Sequence, residues 1–230
     1  MRNIASWCAG GLLLAAVSGS CAAASVGSDF SLGNDGWTVT TFDDNGQPNF
    51  LATQQTNLAP TVVAAGGDPG GFLRIADPDD GWTYFVAPAQ YRGVQSDKLG
   101  GSLSFSLQHS GGTLVGNPPH AVLRSGNLVL VADAGGPPAR TPNWSRYVIM
   151  LAAGNWHVGS LAGALATEQE LELTLGNLEG LFLAGEFVTP VVETNGLDSV
   201  NLTAVPLPAA LWGMLSALGV MALRGKRRTA

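Results

Sequence analysis

Between Ser25 and Ala204, glycine or proline interrupts the chain every few residues, in runs such as Ala64-Ala-Gly-Gly-Asp-Pro-Gly-Gly71 and Ala134-Gly-Gly-Pro-Pro138. Glycine weakens a helix interior and proline breaks one, so a long helical bundle is excluded. What remains is short segments joined by turns. The segments themselves carry the strand period. Ser102-Leu-Ser-Phe-Ser-Leu-Gln108 alternates polar and apolar, putting Leu103, Phe105 and Leu107 on one face. Ala121–Arg124 and Leu128–Val131 flank Ser125-Gly126-Asn127 and read as a hairpin. Arg146–Leu151 reads as a further strand, too apolar for a sheet edge; Phe72–Ile75, Thr83–Val86, Leu181–Val188 and Val200–Thr203 complete the set. This pattern predicts an all-β sandwich or jelly roll. One helix is expected, over Glu168 to Glu179 and ended by Gly180. Thr167 and Glu170 form a capping box there, and Leu171, Leu175 and Leu178 share one face.

Composition supports a packed domain with little charge. Of 230 residues, 46% are hydrophobic and only 12% charged, against the roughly 25% usual in globular domains. A charge-rich disordered chain is thereby excluded. Five of the eleven basic residues (Arg2, Arg224, Lys226, Arg227 and Arg228) lie at the two ends. All seventeen acidic residues fall between Asp29 and Asp198. So acidic a middle predicts no nucleic-acid partner, because phosphate affinity needs clustered Lys and Arg.

The two ends read as addresses. Met1-Arg2-Asn3, an apolar run from Ile4 to Val17 and small residues Ser18 to Ala24 predict a secretory signal peptide cleaved after about Ala24. A lipoprotein signal modified at Cys21 is the rival, and Ser18 argues against it, since a lipidation site wants a larger apolar residue there. Cys8 and Cys21 both lie in this segment, so the mature chain is expected to hold by burial alone, without a disulfide. At the other end Ala209–Leu223 carries no charge and precedes Arg224-Gly-Lys-Arg-Arg228. That stretch is short of the roughly 20 residues a helix needs to span hydrocarbon. The basic cluster should remain cytoplasmic. The expectation is an exported domain held Nout–Cin by a transmembrane-like tail helix.

Val205-Pro206-Leu207-Pro208-Ala209-Ala210, the short apolar helix and the terminal Arg cluster resemble the VPLPA variety of PEP-CTERM sorting signal. The resemblance implies a Gram-negative bacterium that makes exopolysaccharide. It also implies recognition by an exosortase, a membrane protease or transpeptidase. The processing residues would then be Ala24, Val205, Pro206, Leu207, Pro208 and Arg224.

The middle carries a second resemblance. Phe30 to Trp37, Gly66-Gly-Asp-Pro-Gly-Gly-Phe-Leu73, Asp77, Trp82–Pro88, Tyr91-Arg-Gly93 and Leu99–Phe105 come in order. Trp144 with Tyr147, Trp156, Thr167–Leu178 and Gly196–Val200 follow. The series is similar to laminin IV type A (laminin B) domains. It implies a galactose-binding-like jelly roll over residues 25–204 and a non-catalytic extracellular role.

Little catalytic chemistry is visible. No Gly-x-Ser-x-Gly elbow occurs, and Gly66–Gly71 lacks the Lys of a phosphate loop. His109, His120 and His157 each sit in a loop-like context and are expected at the surface. Hard-oxygen clusters are present at Asp77-Pro-Asp79-Asp80 and Asp43-Asp44-Asn45-Gly46, although ordinary turns are made of the same residues. Asp198 resembles the closing-strand Asp that helps hold structural calcium in galactose-binding-like carbohydrate modules. Asp198, Asp77 and Asp79 are therefore the candidate metal ligands. Of Trp37, Trp82, Trp144 and Trp156, most should pack in the core, while Trp144 in Thr141-Pro-Asn-Trp-Ser145 is the candidate ligand-binding residue. The expected function is an exported adhesion or matrix module, with an exosortase-like protease and exopolysaccharide or another glycan as partners. A secreted glycan-acting enzyme with unrecognised carboxylates is the alternative.

Overall fold

Strands this short are stable only when they share a sheet and bury one face. The structure, a computed structural model, describes residues 25–42, 48–52, 58–77, 81–112, 118–188 and 193–205. Its first strands are β1 (Ser25–Ser28), β2 (Thr38–Phe42), β3 (Thr61–Gly67), β4 (Gly70–Ala76), β5 (Trp82–Val86) and β6 (Ser102–His109). There follow β7 (Ala121–Ser125), β8 (Leu128–Ala132), β9 (Ala139–Arg140), β10 (Ser145–Met150) and β11 (His157–Val158). Helix α1 (Glu168–Gly176), β12 (Gly180–Ala184) and β13 (Thr194–Thr203) complete the order. One sheet runs β10-β6-β13-β4-β3, with β1 added on β13 and β9 on β6; the other runs β11-β8-β7-β12-β5-β2. Leu103, Phe105 and Leu107 of the first sheet and Phe85, Leu130 and Phe182 of the second belong to one fully buried core. The fold is the β-sandwich with one short helix that the sequence predicts.

Strand β13 organises the first sheet. Along one side it pairs with β6. Along the other it pairs with β4 over Thr194–Leu197, then with β1 over Val200–Thr203. Between those partners the register shifts at Asp198–Asn201, and Ser199 takes a left-handed conformation with φ 51°. A bulge of this kind re-aims the side chains beside it. Only Val200–Thr203 is predicted as strand from sequence. The earlier half contains Asn195, Gly196 and Asp198, poor strand formers that tertiary pairing overrides.

Two further expectations are corrected. Strand β10 is the end strand of its sheet path, not an interior one. Its inward residues Tyr147 and Ile149 are buried, whereas Val148 and Met150 are 57% and 45% exposed. Apolar content therefore misled, because half of it faces solvent. Helix α1 stops at Gly176 rather than Glu179, with Asn177 as its C-cap. There the Leu178 amide donates to the Gly93 carbonyl and that of Glu179 to Arg124, so non-local pairing ends the helix and Gly180 opens β12. The capping box forms as expected: Glu170 N–H donates to Thr167 Oγ1 at 3.2 Å, and Thr167 N–H to Glu170 Oε2 at 2.8 Å. Among the described residues no helix is long and apolar enough to cross a membrane. The expected signal peptide (1–24) and tail helix (209–223) lie outside the described residues.

Candidate functional site

The alternation of β6 that sends Leu103, Phe105 and Leu107 inward sends Ser104, Ser106 and Gln108 to the outer face of the first sheet. Register sets Ser106 beside Arg146 on one side and Asp198 on the other, and Gln108 beside Gly196. This face is polar, and two devices cover part of it.

The first is the turn between β3 and β4, Asp68-Pro69, which folds over the bulge in β13. Asp198 is fully buried beneath it. One carboxylate oxygen of Asp198 accepts from the Asp68 amide, and the other accepts from the Ser199 amide at 2.6 Å. Ser106 Oγ donates to the Asp68 carboxylate at 2.9 Å. The turn comes this close because Gly67 has no side chain; a Cβ there would lie 2.5 Å from Asp198 Oδ2. Burial pushes the Asp198 carboxyl up to about 6, and the nearby Asp68 and Asp29 carboxylates add to the rise, against the pull of its two amide donors. Beside the bulge opens a cleft of about 320 Å³ lined by Gly27, Ser28, Asp29, Asp35, Ser199 and Asn201.

The second is Trp144. Its indole N–H donates to the Gly66 carbonyl at 2.9 Å, and its ring meets Phe72 edge-on at 5.2 Å. A Cβ on Gly196 would lie 2.9 Å from the indole, so the ring rests across β13 where that strand has no side chain. Gln108 beneath is 4% exposed, and its Oε1 has no partner. Trp144 is only half-buried, unlike Trp37 and Trp156, which are fully buried. An aromatic plate with a polar surround is what a sugar ring or similar amphipathic ligand stacks upon.

The sequence-predicted residues do not converge. Asp198 lies at the bulge. Asp77 follows the far end of β4, where its carboxylate accepts from Thr83 Oγ1 at 3.0 Å and its amide donates to the Glu193 carbonyl. Asp79 and the Asp43–Gly46 cluster lie outside the described residues, as do Ala24, Pro206, Leu207, Pro208 and Arg224. Val205 is described and 49% exposed. Among the described residues no three His, Cys, Asp or Glu side chains are grouped closely enough to hold a metal. Both Asp198 oxygens are occupied by the Asp68 and Ser199 amides, but the adjacent cleft is lined by the hard-oxygen side chains of Ser28, Asp29, Asp35, Ser199 and Asn201. Calcium favours such a set and completes its shell with amide, hydroxyl and carbonyl oxygens.

Two of the three histidines overturn their expected exposure, while His157 in β11 remains partly exposed. His109 is 2% exposed and His120 fully buried, because each lies where strands of the sandwich close over it. His120 sits 3.0 Å from Asp133, and its Nε2 lies 2.9 Å from the Gly136 carbonyl. Neither environment was legible from neighbours in sequence.

A family model for laminin B (domain IV) matches residues 84–211. Among solved structures, the L4b domain of human laminin alpha-2 aligns with a TM-score of 0.56 at 12% identity, over 74% of this chain and 91% of that one. The subject of "Solution structure, dynamics and binding studies of CtCBM11" aligns at a TM-score of 0.42 and 13% identity, over 82% of this chain and 92% of that one. A comparison with curated proteins finds no match. At 12% identity the laminin alpha-2 likeness bears on the fold alone.

Proposed function

The chain belongs to the laminin B (domain IV) family, and from that premise we propose that it is an extracellular, non-catalytic binding or adhesion module whose ligand is a glycan. The observation that carries this reading is the half-buried Trp144 indole, anchored at Gly66 and laid across a polar sheet face. A glycan array combined with polysaccharide hydrolysis assays tests it. Saturable binding without turnover is the expected result; turnover of any array ligand would make the chain an enzyme. Trp144→Ala should weaken binding about tenfold, the loss that roughly 1.4 kcal/mol of stacking represents. Undiminished binding by that variant would remove the Trp144 face from the proposal.

The sorting of the module follows from the two ends. The signal segment exports it, and the tail from Val205 onward holds it at the inner membrane of a Gram-negative cell until an exosortase-like protease cuts near Pro208. Pro206 and Pro208 keep that approach extended, and an extended peptide is what a protease cleft accepts. The domain then passes to the cell surface or the exopolysaccharide matrix. Mass spectrometry of the surface form should find no peptide containing Leu223 or Arg224. A mature protein that retains them carries a plain anchor instead. A structural calcium ion beside Asp198 belongs to the same reading, supported by the oxygen donors gathered there.

A further inference from the structure

At the end of the sandwich away from the Asp198 bulge, strand pairing sets His109 of β6 opposite Asn195 of β13, with Glu193 just before that strand. His109, Glu193 and Asn195 are between 1% and 2% exposed. Each presents a polar atom without a partner: His109 Nδ1, Glu193 Oε2, and both the oxygen and nitrogen of the Asn195 amide. Buried polar groups in folded proteins are nearly always satisfied, so this group requires an explanation.

The rest of each side chain is fixed. The His109 ring has its hydrogen bond to the Pro138 carbonyl, and a carbonyl can only accept. In the neutral ring Nδ1 is therefore a bare lone pair. Glu193 Oε1 accepts from the Phe187 and Val188 amides, which aims Oε2 at His109. Two acceptors thus face each other at 3.7 Å. The Asn195 amide approaches the same carboxylate without completing a hydrogen bond. Further negative charge surrounds them. Asp77 lies close enough to disfavour charge on Glu193, and buried Glu186 accepts from the Thr83 amide while Thr83 Oγ1 donates to Asp77. Arg140, the cation felt by His109, is itself engaged with the Gly112 carbonyl.

A proton or a cation placed between the two acceptors would satisfy both. A tetrahedral ion with ligand bonds of about 2.0–2.2 Å holds neighbouring ligand atoms roughly 3.4 Å apart, close to the separation present. A metal-bound His also typically donates its other ring N–H to a backbone carbonyl, as His109 does to Pro138. Imidazole among the donors favours an ion of the zinc class over calcium. We propose that His109 Nδ1, Glu193 Oε2 and the Asn195 amide oxygen form a buried site for a divalent transition-metal ion of the zinc class, separate from the Asp198 region.

The probe is Co²⁺, then Zn²⁺, added to the full chain prepared free of metal. A Cys8→Ser, Cys21→Ser background prevents thiolates from competing. One Co²⁺ per chain should bind with visible absorption of a four-coordinate N/O site, and Zn²⁺ should displace it and raise the melting temperature. His109→Ala and Glu193→Gln should each weaken binding at least about tenfold. Asn195→Asp, which retains the oxygen and adds charge, should bind more tightly than wild type, so the test does not rest on disruptive variants alone. Asp198→Ala should keep the Co²⁺ spectrum. Absence of a Co²⁺ spectrum together with melting unaffected by Zn²⁺ would mean that a shared proton or a water fills the gap, and the proposal fails. It fails equally if His109→Ala and Glu193→Gln bind as wild type does, because the ion then sits elsewhere.

Discussion

Trp37→Ala should cost about 3–5 kcal/mol of folding stability, the usual loss for truncating a large buried aromatic. Against total stabilities of roughly 5–15 kcal/mol, that leaves the domain marginal or unfolded. The indole is fully buried, with Phe30 edge-on at 6.2 Å and Tyr91 at 5.3 Å. Its N–H donates to Ser28 Oγ at 3.1 Å, and the Tyr91 hydroxyl lies 3.1 Å from the same oxygen and 3.2 Å from the Val200 carbonyl. Removing the ring therefore opens a cavity and loosens the tie between β1, the second half of β13 and the Tyr91 turn. With no cysteine between Ser25 and Val205, no covalent bridge compensates. Denaturant unfolding read by fluorescence and circular dichroism gives the measurement. Trp82, which is only partly buried, is the comparison, and its alanine variant should lose less. A Trp37→Ala loss below about 1 kcal/mol would contradict the packing described.

Asp198→Ala should cost about 2–4 kcal/mol at pH 5, because it strips two amides, those of Asp68 and Ser199, of their acceptor. The turn over the outer face would loosen with it. The pH dependence has a definite sign. Asp198 titrates at about 6 in the fold against 3.8 ordinarily, so the native state holds its proton more tightly than the unfolded chain. In the presence of chelator, this carboxyl contributes most below about pH 4, and its contribution falls as pH rises through 6. The calcium ion proposed beside Asp198 would bind the ionised form, so adding calcium at pH 7.5 should then recover stability, and chelation should lower the melting temperature again. Asp198→Ala should lose both the pH response and the chelator response. Identical wild-type melting with and without chelator at pH 7.5 would remove calcium from this region. The Co²⁺ measurement on His109 and Glu193 is unaffected by that outcome, since the two regions use different donors.

Much of the domain is readable without coordinates, for local reasons. The period-2 pattern of β6, the Gly126-Asn127 turn between β7 and β8, and the capping box of α1 each depend on residues a few positions apart. Trp144 stands out as the tryptophan in a Pro- and Asn-containing loop, and its ring lies on the outer face of the first sheet. Edge position was not readable, because the outward Val148 and Met150 of β10 look like core in a sequence. Nor was the first half of β13, whose Asn195, Gly196 and Asp198 are strand-forming only because β4 and β6 hold them on both sides.

The sequence by itself determined the fold class and the acidic and cysteine-free character of the middle, since each is written in composition or in short-range order. Only the tertiary structure decided which polar residues meet. Asp198 finds Asp68 across 130 residues, Trp144 finds Gly66 across 78, and His109 faces Glu193 from the other side of a strand ladder. Whether a histidine or an aspartate is a solvated turn residue or a buried donor depends on which strands close over it. That closure is set by sheet register, and register joins segments whose separation in sequence carries no local signal.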